Sequence, residues 1–228
     1  MHELNEFMRI LCRLCRHCFK LLKMLKFRLV MAFKSNHLQQ FFNEKINFQE
    51  PKPILMDIKL KSQLRKITTF IFDVDGVLTD ATIIALRGGE LARVFNVKDG
   101  YALGKAIRSG FRIAIISGGK EESIRERLSL LGIKDIFLGV NTDKKLSVFD
   151  KYVADNNLSA DEIVFMGDDL PDWEIMKHRD VLSACPADAV EEIIEIAAFN
   201  STRKGGDCAV REVIELVLKE QGKWMKII

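Results

Sequence analysis

The chain has 228 residues, 48% hydrophobic and 29% charged, with a formal net charge of +3. This composition suits a globular protein with one sizeable core or two small ones, and it excludes a disordered chain, a collagen-like repeat and a disulfide scaffold. No uninterrupted apolar run reaches the roughly 18 residues a transmembrane helix needs.

Charge is unevenly placed along the chain. Residues 1–55 carry ten Lys and Arg against four Asp and Glu, whereas the remainder carries 25 against 28. A nucleic-acid role would rest on the first quarter alone, so nucleic acid is not expected as a partner. Between Phe7 and Phe33 the apolar Ile10, Leu11, Leu14, Leu21, Leu22 and Leu25 alternate with Arg9, Arg13, Arg16, Lys20, Lys23, Lys26 and Arg28. One reading is a basic amphipathic helix on an anionic membrane surface. A second is sequence upstream of a domain whose natural start is Met56, and a third is a native extension of unassigned role. Membrane contact is expected only if this extension is native. A cleaved signal peptide fits poorly, because charges interrupt every apolar stretch. Cys12, Cys15 and Cys18 with His17 offer poor geometry for zinc. The five cysteines form no disulfide framework, so a reducing, cytoplasmic compartment is expected.

From Met56 to Ile228 the pattern is that of one α/β domain. Strands are predicted at Thr69–Phe72, Arg112–Ile116, Asp135–Leu138, Ile163–Met166 and Val181–Ala184. Helices are predicted at Gly100–Ser109, Glu121–Leu131, Lys145–Asn156 and Asp172–Lys177. Continuous apolar strands alternating with amphipathic helices predict a Rossmann-like, doubly wound parallel sheet covered on both faces. Only about twenty residues separate Asp80 from Gly100, too few for an inserted cap domain. Two short strands, Ala81–Leu86 and Glu90–Asn96, around Arg87-Gly88-Gly89 fill the interval as a hairpin flap.

Ligands of such sheets bind beyond the carboxyl ends of the strands. Here the first strand ends Asp73-Val74-Asp75-Gly76, the second at Ser117-Gly118-Gly119, and the fourth at Gly167-Asp168-Asp169 with Asp172 beyond. Lys144-Lys145 opens the helix after the third. Crowded carboxylates repel unless a cation sits among them, and oxygen ligands without a nearby histidine favour Mg²⁺. A cation, a lysine and a serine make a phosphate-binding set. One carboxylate aimed at that phosphate can act as nucleophile, and a second two residues on can act as acid and base. Each element alone is more often a helix cap, a turn or a solvated charge. Their order at four successive strand ends points to one site.

The run Asp73-Val74-Asp75-Gly76-Val77-Leu78-Thr79-Asp80, with Ser117, the lysine and Gly167-Asp168-Asp169-Leu170-Pro171-Asp172, resembles the haloacid dehalogenase superfamily of phosphotransferases over about Ile67 to Trp224. Glu90-Leu91, Phe95 to Gly100, Trp173, Gly205-Gly206 and Ala209-Val210-Arg211-Glu212 narrow the resemblance to the capless 3-deoxy-D-manno-octulosonate 8-phosphate phosphatases. The resemblance implies Mg²⁺ held by Asp73, Asp168 and the Asp75 carbonyl. It implies Asp73 as nucleophile, Asp75 as acid and base, and Ser117 and a lysine on the phosphoryl oxygens, with Asp169 and Asp172 orienting the site. The phase of Leu146 and Phe149 favours Lys145, and counting from Gly139 favours Lys144. The resemblance also implies a homotetramer in which a neighbour's hairpin and tail close the site. Asn96, Val97, Lys98, Asp99, Gly100, Arg127 and Arg211 then become candidates for substrate contacts. In that family an arginine often follows the Ser-Gly pair, where this chain has Gly119, and glycine often stands where it has Cys208. The expected substrate is the eight-carbon keto-sugar acid phosphate of lipopolysaccharide biosynthesis. Its nine-carbon equivalent and a catalytically idle, membrane-tethered scaffold are the alternatives.

Overall fold

Six parallel strands form the central sheet, in the order β5-β4-β1-β6-β7-β8. They are β1 (Thr69–Phe72), β4 (Arg112–Ile116), β5 (Asp135–Phe137), β6 (Ile163–Met166), β7 (Leu182–Cys185) and β8 (Phe199–Asn200). Two further strands, β2 (Ile84–Ala85) and β3 (Leu91–Ala92), pair antiparallel as a separate hairpin. The helices are α1 (Ile58–Lys66), α2 (Val97–Arg108), α3 (Glu122–Ser129), α4 (Lys145–Asp155), α5 (Leu170–His178), α6 (Glu191–Ile196) and α7 (Ala209–Glu220). This computed structural model describes residues 58–226. The basic segment with its three cysteines and His17, and Met56, lie outside the described residues. No helix among the described residues is long and apolar enough to cross a membrane.

The sheet is covered on both faces because its strands alternate their side chains. On β1, Phe70 and Phe72 point to one core with Leu103 of α2, Leu128 of α3 and Ile214 and Val217 of α7, while Ile71 points to the other with Phe149 of α4, Ile175 of α5 and Ile193 of α6. All four residues of β1 and of β6 are buried, as a central parallel strand requires. The chain moves outward from β1 through β4 to β5, then returns to β6 on the opposite side of β1. The carboxyl ends of β1 and β6 therefore flank the topological switch point.

Several predicted elements differ in detail. The hairpin strands are two residues each rather than six or seven, since no strand among the described residues extends the flap and an isolated ribbon is marginal. Its turn is carried by Gly88 and Gly89, both at positive φ, and Ile83, Ile84 and Leu86 are each nearly half exposed. Helix α2 starts at Val97, not Gly100, because the Asn96 side chain caps it by accepting from the Lys98 N–H at 2.9 Å. Helix α5 starts at Leu170, with Asp169 as its cap and Pro171 in its first turn. The fifth predicted strand is displaced by one residue to Leu182–Cys185.

Candidate active site

The loop after β1 builds the floor of the site. Asp73 sits at the end of the strand, its N–H donating to the Met166 carbonyl at 3.1 Å. The chain then turns sharply: the N–H groups of Leu78 and Thr79 both donate to the Val74 carbonyl, and Gly76 takes φ +83°. A Cβ at Gly76 would overlap the Asp168 carboxylate, so only glycine lets the β1 and β6 loops approach this closely. Gly167 is equally constrained, since a Cβ there would overlap Asp172.

Oxygens of Asp73, Asp168 and Asp172 come within 4.8 Å of one another. Lys145, buried at the start of α4, reaches between them: its Nζ lies 2.7 Å from Asp73 Oδ2 and 2.6 Å from Asp172 Oδ1. Lys144, in the turn before, is exposed. Helix phase was thus the better guide to which lysine faces the strand ends, because the buried Phe149 fixes the rotation of α4. Burial works against the Lys145 ammonium, but Asp172 and Asp73 outweigh it and raise its pKa above the usual lysine value. Asp168 shows the opposite pressure. Burial, then Asp172 and Asp73, push its carboxyl up to about 8.

When fully ionised, the three carboxylates and one ammonium leave two negative charges, which one divalent cation would balance. Asp168 Oδ1 is buried and has no hydrogen-bond partner among the described residues. An orphaned oxygen in an all-carboxylate set fits a hard divalent cation such as Mg²⁺. Asp172 is fully buried and already accepts from the Asp168 N–H at 3.1 Å. It serves the set by orienting Lys145 and the Asp168 backbone.

This crowding makes metal-free stability depend on pH. Asp168 titrates near 8 in the folded protein and near 4 in an unfolded chain, so between those values the folded state holds the extra proton. Metal-free stability therefore falls as pH rises from about 4 to about 8, by up to a few kcal/mol at about 1.4 kcal/mol per unit. The Lys145 shift acts above the ordinary lysine range, outside this window. Thermal melts should accordingly show Mg²⁺ raising the midpoint more at pH 8 than at pH 5. An equal rise at both would contradict a cation site built on Asp168.

The remaining residues divide into two groups. Ser117 is buried at the end of β4, its Oγ accepting from the Gly119 N–H at 3.1 Å. Asp75 points toward the hairpin. Arg93, just after β3, grips it with Nε to Oδ1 at 2.6 Å and Nη2 to Oδ2 at 3.0 Å, and binds Glu121 Oε2 through Nη1 at 2.7 Å. Sequence reasoning missed Arg93 and Glu121. The hairpin sequence gives no local signal for this role, and the contact to Asp75 spans 18 residues.

The expected substrate residues lie elsewhere. Asn96 uses its side chain twice, as the α2 cap and as a donor to the Gly206 carbonyl at 2.9 Å. Val97 and Lys98 are exposed on the first turn of α2. Asp99 is buried and accepts from the N–H groups of Arg211 at 2.7 Å and Cys208 at 3.2 Å, capping α7 in place of the Cys208 side chain. In this chain its carboxylate fastens α2 to α7 and faces no open pocket. Gly100 and Arg127 line a cleft of about 370 Å³ with Tyr101, Gly104 and Arg108. Arg211 pairs with Glu215 at 2.6 Å and stacks over Trp224 and Tyr101, with its Cζ 5.4 and 5.9 Å from their ring centroids. Neither Arg127 nor Arg211 makes a hydrogen bond or ion pair to the carboxylate cluster among the described residues.

An open parallel sheet with this acidic cluster, a buried lysine and a serine at its carboxyl edge defines a phosphoric monoester hydrolase of the haloacid dehalogenase class. No family model matches the chain. The 3-deoxy-D-manno-octulosonate 8-phosphate phosphatase KdsC of Escherichia coli (strain B / BL21-DE3) is 36% identical over 171 residues, covering 75% of this chain and 88% of that protein. The crystal structure of the corresponding phosphatase from Yersinia pestis aligns with a TM-score of 0.68 and 35% identity, over 72% of this chain and 86% of that one. The Moraxella catarrhalis phosphatase, solved with a magnesium ion, a phosphate ion and KDO, aligns with a TM-score of 0.68 and 31% identity, over 72% and 92%. The chain belongs to the 3-deoxy-D-manno-octulosonate 8-phosphate phosphatase family of the haloacid dehalogenase superfamily.

Proposed function

We propose that this chain hydrolyses 3-deoxy-D-manno-octulosonate 8-phosphate to KDO and inorganic phosphate in lipopolysaccharide biosynthesis, with Asp73 as nucleophile. The observation that carries the reading is the convergence of Asp73, Asp168 and Asp172 on Lys145, in a chain 36% identical to a phosphatase of that substrate. Asp73, Asp168 and the Asp75 carbonyl would hold Mg²⁺, which when bound offsets charge repulsion between the carboxylates and the phosphate dianion.

The chain's own residues supply the rest. An Asp73 carboxylate oxygen attacks phosphorus; an Asp–O–P bond forms and the P–O bond to the sugar breaks. The bond pair stays on the sugar oxygen, which takes a proton from Asp75. Water then attacks the same phosphorus, gives a proton to Asp75, and returns Asp73 as carboxylate. Lys145 and Ser117 hold the equatorial oxygens, where preorganised donors act most strongly. Asn96, Val97, Lys98, Gly100, Arg127 and Arg211 are assigned to the substrate side through assembly, and Asp99 supports them from beneath by fastening α2 to α7. Exposed apolar side chains on the hairpin favour association of copies into the homotetramer expected of this family, and the α2 face and tail would then border a neighbour's site. The free thiols of Cys185 and Cys208 accord with a cytoplasmic setting. Residues 56–228 are assigned as the whole phosphatase domain, and 1–55 as an extension that contributes no catalytic group.

A panel of eight- and nine-carbon keto-sugar acid phosphates, assayed with Mg²⁺ and with EDTA, tests the reading. The expected result is metal-dependent phosphate release with the highest kcat/KM on the eight-carbon substrate. Preference for a nine-carbon substrate, or release unaffected by EDTA, would overturn it.

A further inference from the structure

Arg93 carries its side chain out of an exposed hairpin into the site. The side chain is only 4% exposed, although Ile84 and Leu86 on the same hairpin are nearly half exposed. All three guanidinium nitrogens are engaged, two on Asp75 and one on Glu121. The fork crosses directly over Gly119: a Cβ there would stand 3.3 Å from Arg93 Nη2 and 3.5 Å from Ser117 Oγ. The guanidinium thus occupies the corner between the Asp75 carboxylate and the Ser117–Gly119 turn. A pair built only to pin a surface hairpin gains little by being exposed and costs stability by being buried. Here the arginine is buried, planar and bidentate, the geometry that fixes the orientation of a carboxylate.

We propose that Arg93 is a positioning residue for Asp75, setting the plane and direction of its carboxyl so that the outer oxygen faces the leaving oxygen of the substrate. The inference rests on Asp75 acting as the proton donor. Among the described residues nothing else holds that carboxyl firmly, since its other side-chain contact, Thr79 Oγ1, is at 3.5 Å. Glu121 takes the third nitrogen and keeps the guanidinium from turning toward Asp73 and its neighbours. The two-point grip of the fork keeps the Asp75 carboxyl in one orientation while the sugar oxygen takes its proton and the P–O bond breaks.

The test compares Arg93→Ala, Arg93→Lys, Asp75→Asn and the Asp75→Asn/Arg93→Ala double variant on two substrates. One is the sugar phosphate, whose alkoxide needs a proton to leave. The other is p-nitrophenyl phosphate, whose phenolate does not. Arg93→Ala is expected to lower kcat on the sugar phosphate by about 10- to 100-fold, with KM changed little and p-nitrophenyl phosphate turnover nearly kept. Arg93→Lys, which keeps the charge and loses the fork, should recover part of the loss, and the double variant should be no slower than Asp75→Asn. Equal losses on both substrates would make Arg93 merely structural and overturn the inference, as would a rise in KM at unchanged kcat. If Asp75→Asn discriminates between the substrates and Arg93→Ala does not, the inference alone fails. If Asp75→Asn treats both alike, the assignment of Asp75 fails first.

Discussion

Replacing Asp73 by Asn is expected to reduce phosphate release to background, at least about 10⁴-fold, while leaving the fold intact. The amide keeps the shape and can still accept the Val74 N–H at Oδ1, which Asp73 does at 2.6 Å. It cannot form an acyl phosphate. It also removes one of the three charges crowded around Lys145, so the metal-free variant should melt at the same temperature as the parent or higher. Loss of turnover with retained or increased stability separates a nucleophile from a structural carboxylate. Substantial turnover in Asp73→Asn, checked by phosphate release and by mass spectrometry for a phosphorylated Asp73 in the parent, would sink the assignment.

Lys145→Met carries the second large effect. The substitution keeps most of the side chain's length, one atom short of the ammonium, and removes a charge 2.6 Å from Asp172 and 2.7 Å from Asp73. Asp172 is fully buried, so it is left as an uncompensated charge or forced to take up a proton. Breaking a buried pair in this way costs about 3–5 kcal/mol. Turnover should fall by about 10²- to 10³-fold or more, the scale for losing one preorganised positive donor. Mg²⁺ should restore only part of the stability, since Asp172 keeps the Asp168 N–H but no cationic partner. The matching Lys144→Met change, at an exposed position, should stay within about 0.5 kcal/mol of the parent and remain active. Similar losses in the two variants would mean that Lys145 has no special place in the site.

The positions of Asp73, Ser117, Lys145 and Asp168 were legible in the sequence because each lies at the boundary of a strand or helix whose apolar pattern sets its phase. Elements with weaker periodic signal were not. β8 has two residues and α6 six, too short for a period to emerge. α7 is a different case, since Val210, Val213, Ile214, Val217 and Leu218 recur at helical spacing and its pattern was readable in the sequence. The extent of the hairpin was overestimated because alternation alone cannot reveal the absence of a neighbouring strand. Asp99 read as a polar group near a site, yet it is buried beneath the start of α7, a partner more than a hundred positions later. Arg93, which no sequence motif marks, proves to be interior. Such long-range pairings leave no trace in local spacing. Cys208 is a partial exception, since its φ of +73° falls where glycine is favoured, and the family commonly places glycine there.

The late Gly205-Gly206 turn presses against the β1 loop so closely that a Cβ at Gly205 would overlap the Gly76 carbonyl, while the Gly206 N–H donates to Val77 at 3.1 Å. The seat of the nucleophile is therefore completed by residues near the end of the domain. During synthesis β1 emerges early, but the turn that holds Asp73 and Asp75 gains this support only once Gly205 and Gly206, just ahead of the last helix, have emerged. The sheet can thus form before the enzyme is competent, and on unfolding the reverse order applies: detachment of α7 would disarm the site while the strands still stand. Inactivation should therefore precede loss of secondary structure on heating, with the C-terminal helix acting as the last part assembled and the first released.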